Sequence, residues 1–168
     1  TKNLWLTAME RYLASEIKVK SGTNLTLQKD FEQRLKEALN QYHNHNLTVV
    51  EILEELFKMS QDFQERLALG KKLGLTKEEL AFYEALSQNQ SAKDLMGDEV
   101  LSKLAKEITG TLRKSVTIDW QYKEAVRAKM RILVKRALQR YKYPPDQAEG
   151  AVEYVLKQAE EIADELSA

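Results

Sequence analysis

The chain has 168 residues, 43% of them apolar and 31% charged, with 26 basic residues against 26 acidic. That length suits about one domain, able to bury roughly two thirds of its unfolded surface, and the even charge argues against a dedicated polyanion binder, whose domain is normally strongly basic. The absence of cysteine excludes a disulfide framework, a zinc ribbon and a thiol nucleophile, and suits a reducing cytoplasm.

Trp5, Ala8, Met9, Tyr12 and Leu13 recur at three and four residues, the period of one helix face, and that helix should end near "SGTN", residues 21–24, at Gly22. Leu27, Phe31, Leu35, Ala38, Leu39 and Tyr42 make a second stripe, which fades into "NHN", residues 44–46. Thr48 with Glu51 three positions on is a capping box, and it opens a long third helix carrying Val49, Ile52, Leu53, Leu56, Phe63 and Leu67, closed near Gly70 to Gly74. Thr76 and Glu79 repeat the device for a short helix with Leu80, Phe82, Tyr83 and Leu86. "SQNQSAKDLMGD", residues 87–98, reads as a flexible loop. A fifth helix carries Leu101, Leu104, Ala105, Ile108 and Leu112, and a sixth starts with Asp119 as its N-cap. The seventh begins after Pro144 and Pro145, where Pro145 or Asp146 fits the first helical position and a fixed φ costs nothing, and its apolar face is Ala148, Ala151, Val152, Val155, Leu156, Ala159, Ile162, Ala163 and Leu166.

With only two prolines and six glycines, and no sustained alternation of apolar and polar residues, the expected fold is all-α. It is a single bundle of about seven amphipathic helices over residues 1–168, with no sheet and no repeat of fixed period. No apolar run approaches a membrane span and no signal peptide opens the chain. The start at Thr1-Lys2-Asn3-Leu4, without a methionine, reads as a cut from a longer protein.

The sixth helix is the most unusual stretch, with eight basic residues and one acid between Trp120 and Lys142. Turning it by about 100° per residue puts Val126, Met130, Leu133, Ala137 and Tyr141 on one face, with Trp120, Val134 and Leu138 at its margin. Lys123, Arg127, Arg131 and Lys135 line one flank, and Lys129, Arg136 and Arg140 the other. The following helix is acidic, with Asp146, Glu149, Glu153, Glu160, Glu161, Asp164 and Glu165 against Lys157 alone. "YKYPPD" is too short to make these anything but antiparallel neighbours, so part of the basic charge should meet that helix. Two flanks of cations cannot all face one acidic helix, and contact with a partner protein or nucleic acid stays open.

Catalytic and metal chemistry find little to work with. His43 and His45 would point about 200° apart on a regular helix, which suits a solvated turn. "LGKKLGLTKEE", residues 69–79, sets glycines near lysines but lacks the Gly-Lys-Ser/Thr of a phosphate loop. No serine sits in a nucleophile elbow, and Trp5 and Trp120 suit core or interface anchors better than ligand platforms. No catalytic, cofactor-binding or metal-binding residue is expected.

Three stretches nevertheless carry a family resemblance. "IKVKSGTNLTLQKDFEQRLKEALNQYHNHNLTVVEILEELFKMSQDF", residues 17–63, "GLTKEELAFYEAL", residues 74–86, and residues 104–160, with the Val116 to Trp120 turn, the Ala-Lys-x-Arg-x-Leu-Val-Lys run and Tyr-Pro-Pro, resemble the C-terminal helical region of type I restriction enzyme R subunits. Such subunits are the motor and nuclease of a restriction-modification complex, using ATP and Mg2+ to translocate and cut duplex DNA in the prokaryotic cytoplasm. The resemblance implies that this region docks the R subunit onto the modification and specificity subunits and inherits no catalytic residue. The second reading is an auxiliary duplex-DNA module contacting phosphates through Lys123, Arg127, Arg131, Lys135, Arg136 and Arg140.

Overall fold

The computed structural model describes residues 4–115 and 123–163, and these form seven α-helices with no strand among them. The all-α expectation holds. The chain divides into two compact units, residues 1–69 and 70–168. The expected cap at Asp119, the turn from Val116 to Trp120, and Asp164, Glu165 and Leu166 lie outside the described residues.

In the first unit, α1 (Leu4–Ser21) gives way at Gly22, whose φ of 55° is the left-handed turn that glycine adopts without strain. The Asn24 side chain then accepts a hydrogen bond from the Leu27 amide at 3.1 Å, capping α2 (Leu25–His43). At the start of α3 (Val49–Leu73), the Glu51 amide donates to the Thr48 hydroxyl and the Thr48 amide to the Glu51 carboxylate, each at 3.1 Å. The reciprocal box written in the sequence is therefore formed.

Leu13, Ile17, Leu27, Phe31, Leu56 and Phe63 lie in the core with Ile52 and Met59, the last a buried residue that the stripe reading passed over. Phe31 and Phe63 meet edge to face, 5.0 Å between centroids. The guanidinium groups of Arg34 and Arg66 lie 5.9 and 5.3 Å from the Phe31 ring. The same two arginines link α2 with α3, Arg34 binding Asp62 at 2.8 Å and Arg66 reaching back to Asp30 at 3.1 Å.

One expected face is corrected. Leu6, Leu13 and Ile17 turn inward with Met9 packed against them, whereas Trp5, Ala8 and Tyr12 are exposed. The five residues read as one stripe belong to two, because α1 is apolar along two separate lines and periodicity alone does not say which of them faces the core.

The second unit is built around α4 (Lys77–Leu86), opened by the Thr76–Glu79 capping box. Every residue from Leu80 to Leu86 is buried. It packs against α5 (Gln90–Ser115) and α7 (Pro145–Glu161), while α6 (Lys123–Arg140) packs against α5 and α7. Residues 87–98 depart from the expected loop. After a turn at Ser87–Asn89 the chain is helical from Gln90, helped by Asn89 accepting from the Ser91 amide at 3.1 Å and by the burial of Ala92. The break falls instead at Gly97 (φ 77°, ψ 163°), which kinks α5.

Pro144 sits at the N-cap position of α7 without a side-chain cap bond, and of the two starts the sequence allowed, Pro145 and Asp146, it is Pro145 that fills the first helical position. Along α6, Val126, Met130 and Ala137 are buried, but so are Val134 and Leu138, and Leu133 and Tyr141 are only half-buried. The stripe's centre therefore lies about 30° round the helix from its expected line.

Tyr143, which the stripe reading omitted, is buried and donates its hydroxyl to the Leu86 carbonyl at 2.7 Å. Burial pushes its pKa up to about 12. Replacing it with phenylalanine leaves that carbonyl without its donor in a dry setting, and we expect Tyr143→Phe to cost about 1–3 kcal/mol. Denaturant unfolding should show a lower midpoint at an unchanged slope.

Candidate interaction surface

Of the six basic residues singled out by sequence, four are held by carboxylates of the second unit. Arg127 binds Glu160 and, at 3.2 Å, Glu153. Arg131 reaches the other oxygen of Glu153 at 2.5 Å, and Lys135 pairs with Glu149 at 2.8 Å. Positions rise along α6 as their partners fall along α7, the mark of an antiparallel register. The other flank sends Arg140 to Glu107 of α5.

Lys129 and Arg136 are exposed and, among the described residues, meet no carboxylate. The side chain of Lys123 lies outside the described set. The candidate patch is thus not one array: most of it is consumed in fastening α6 to its neighbours.

The electrostatics follow the geometry. Glu153 is held below the usual carboxylate range, first by its hydrogen bond to Arg131, with the charges of Arg131 and Arg127 adding to it against the opposing cost of burial. Tyr141 is pushed upward, mainly by burial and then by the charge of Glu107. Arg127 and Arg131 keep 30% and 33% of their side chains in solvent and Glu153 keeps 42%, so screening limits each pair to roughly 0.2–1 kcal/mol. What the pairs fix is register. Removing one partner would leave its neighbours facing like charge.

His43 and His45 are exposed at the end of α2, and His45 takes a left-handed φ of 61°. Among the described residues no group of three metal-ligating side chains converges. No helix among them is long and apolar enough to cross a membrane. Sequence reasoning missed Glu107 as a partner, because α5 and α6 meet only in the folded unit. Glu149, Glu153 and Glu160 could have been found from their spacing of four and seven along α7.

Such a surface belongs to an all-helical scaffold whose basic helix is fastened to its neighbours by ion pairs. Its class is settled by similarity: the chain belongs to the family described as type I restriction enzyme HindI endonuclease subunit-like, C-terminal, which matches residues 1–165. It is 89% identical over 167 residues to the type I restriction enzyme HindI endonuclease subunit of Haemophilus influenzae, covering 99% of this chain and 16% of that protein. A protein of Methanocaldococcus jannaschii, assigned as the MjaIXP endonuclease subunit of a type I restriction enzyme, is 31% identical over 137 residues, 78% of this chain and 13% of its own length. The chain therefore spans about a sixth or less of these relatives. No solved structure matches it.

A pH experiment checks the ladder. The folded Glu153 has a lowered pKa, so its contribution is complete above its unfolded value and disappears as pH falls through the folded one. Glu153→Gln should lower stability by about 1 kcal/mol or less at pH 7, and the deficit against wild type should vanish in acid below the ordinary glutamate range. Unfolding curves of both proteins at neutral and strongly acidic pH measure this.

Proposed function

We propose that this chain is a non-catalytic assembly module, docking the endonuclease subunit of a type I restriction-modification complex onto its modification and specificity subunits. The observation that carries this reading is the ion-pair ladder. Arg127, Arg131, Lys135 and Arg140 already have carboxylate partners, and a DNA phosphate would have to displace those partners one by one. Large apolar side chains, Phe57 at 58% exposure and Leu95 at 76%, stand in solvent instead, and such groups suit a protein partner. ATP- and Mg2+-dependent translocation and cleavage belong, on this reading, to parts of the subunit outside this region, acting in the prokaryotic cytoplasm.

The test is titration of the chain against the cognate methyltransferase core and, separately, against nonspecific duplex, at low and physiological salt. We expect binding to the core that persists at physiological salt. Duplex binding carried by phosphates would fall with a log–log salt slope of about −0.9 per contact, and binding to duplex alone would overturn the docking reading. The DNA alternative is best probed at Lys129→Glu with Arg136→Glu, because these two cations are exposed and their loss breaks no ion pair among the described residues. Arg127→Glu would instead set a third carboxylate beside Glu153 and Glu160, confounding binding with stability.

A further inference from the structure

Helix α1 carries a second apolar line that the first unit does not use. At about 100° per residue, Trp5, Ala8, Tyr12 and Val19 fall within about 60° of one another, well away from the inward line of Leu6, Leu13 and Ile17. Trp5 is 81% exposed, Tyr12 55% and Val19 72%. The next helix has no such line: no large hydrophobic side chain of α2 is exposed, its outer face being Lys29, Glu32, Gln33, Lys36 and Asn40, and α3 exposes a shorter pair, Val50 and Phe57. An amphipathic surface helix needs one apolar stripe, and a helix with two is built to lie between two layers. The line from Trp5 to Val19 runs about 21 Å, long enough for a helix or sheet to lie along it.

We propose that this line is an intramolecular seam, covered by the part of the endonuclease subunit that lies outside the region described here. More than four fifths of the Haemophilus influenzae relative lies outside the matched stretch, which is 16% of its length. The matching family is described as a C-terminal region, so in such a subunit the remainder of the chain joins the N-terminal end of α1. The covalently nearest helix is thus the one whose exposed apolar line is the longest in the first unit, and tethering gives that neighbour a high effective concentration at the face. An occupant in cis needs no separate association step.

Hydroxyl-radical footprinting of the full-length subunit, free of modification and specificity subunits, tests the seam. We expect Trp5 and Tyr12 to react several-fold more slowly than in the urea-unfolded subunit. Tyr12→Glu should return Trp5 to near the unfolded rate and speed proteolytic release of this region. Trp5 reacting near the unfolded rate in the wild-type subunit would overturn the proposal. So would protection that fades on dilution, which marks a second copy, and protection that arises only when the modification subunit is added. That last outcome would support the docking reading while sinking this one. Loss of the core interaction with the footprint intact would do the reverse. The wild-type footprint decides by itself if the Tyr12→Glu subunit fails to fold.

Discussion

The second unit depends on a ten-residue helix whose last seven residues have no exterior. From Leu80 to Leu86 α4 is buried at every position, including both faces that a surface helix would divide between core and water. Ten residues are too few for a helix to hold itself in water, so α4 exists because its neighbours enclose it. Its own polar groups do the tethering. The Tyr83 hydroxyl donates to Asp98 of α5 at 2.6 Å, and the Leu86 carbonyl at its C-terminal end accepts from Tyr143. The capping box at Thr76 fixes the other end. Burying α4 leaves α5, α6 and α7 as the unit's surface, and their outward residues are therefore the ones available for function.

How far this was legible depended on how many apolar faces each helix has. Helices α2, α5 and α7 have one each, and Leu27, Phe31 and Leu35, Leu101, Leu104 and Ile108, and Val152, Val155 and Leu156 are buried as their spacing implied. Where a helix has two faces or none, period cannot choose. In α1 the reading merged Met9 and Leu13 with Trp5, Ala8 and Tyr12, and only packing separates them. In α4 the surrounded state was hidden by an ordinary-looking run, "LAFYEAL", whose single acid, Glu84, is also buried. Local chemistry was more readable. Both capping boxes and the proline start of α7 formed where three or four residues specify them, because such devices need no information from elsewhere in the chain.

The basic helix shows the same division in its charges. That α6 and α7 are antiparallel follows from a short connection, and that they bear opposite charge follows from composition, so the pairing of Arg127, Arg131 and Lys135 with α7 could be anticipated. Which flank pairs, and that Arg140 turns to Glu107 instead, depends on α5 packing beside α6. That is a contact between distant stretches, invisible until the unit closes. The result alters the meaning of eight cations in one stretch. A sequence count treats them as available charge, whereas the fold uses Arg127, Arg131, Lys135 and Arg140 as fasteners and leaves Lys129, Arg136 and Lys142 outward.

Exposed ion pairs of this kind contribute little net stability, yet they favour one register, since a slip of α7 by one turn would keep only part of the pairing of Arg127, Arg131 and Lys135. The ladder thus specifies one register for a helix whose apolar face, rich in Ala and Val, would tolerate several. Using charge this way has a consequence for recognition. Once the strong electrostatic groups are satisfied internally, long-range attraction to a polyanion is weak, and what remains to distinguish one partner from another is shape and apolar area. Among the described residues Arg127, Arg131 and Arg140 are paired while Trp5, Tyr12, Phe57 and Leu95 stand in solvent, so beyond Lys129, Arg136 and Lys142 the basic stretch keeps little free charge.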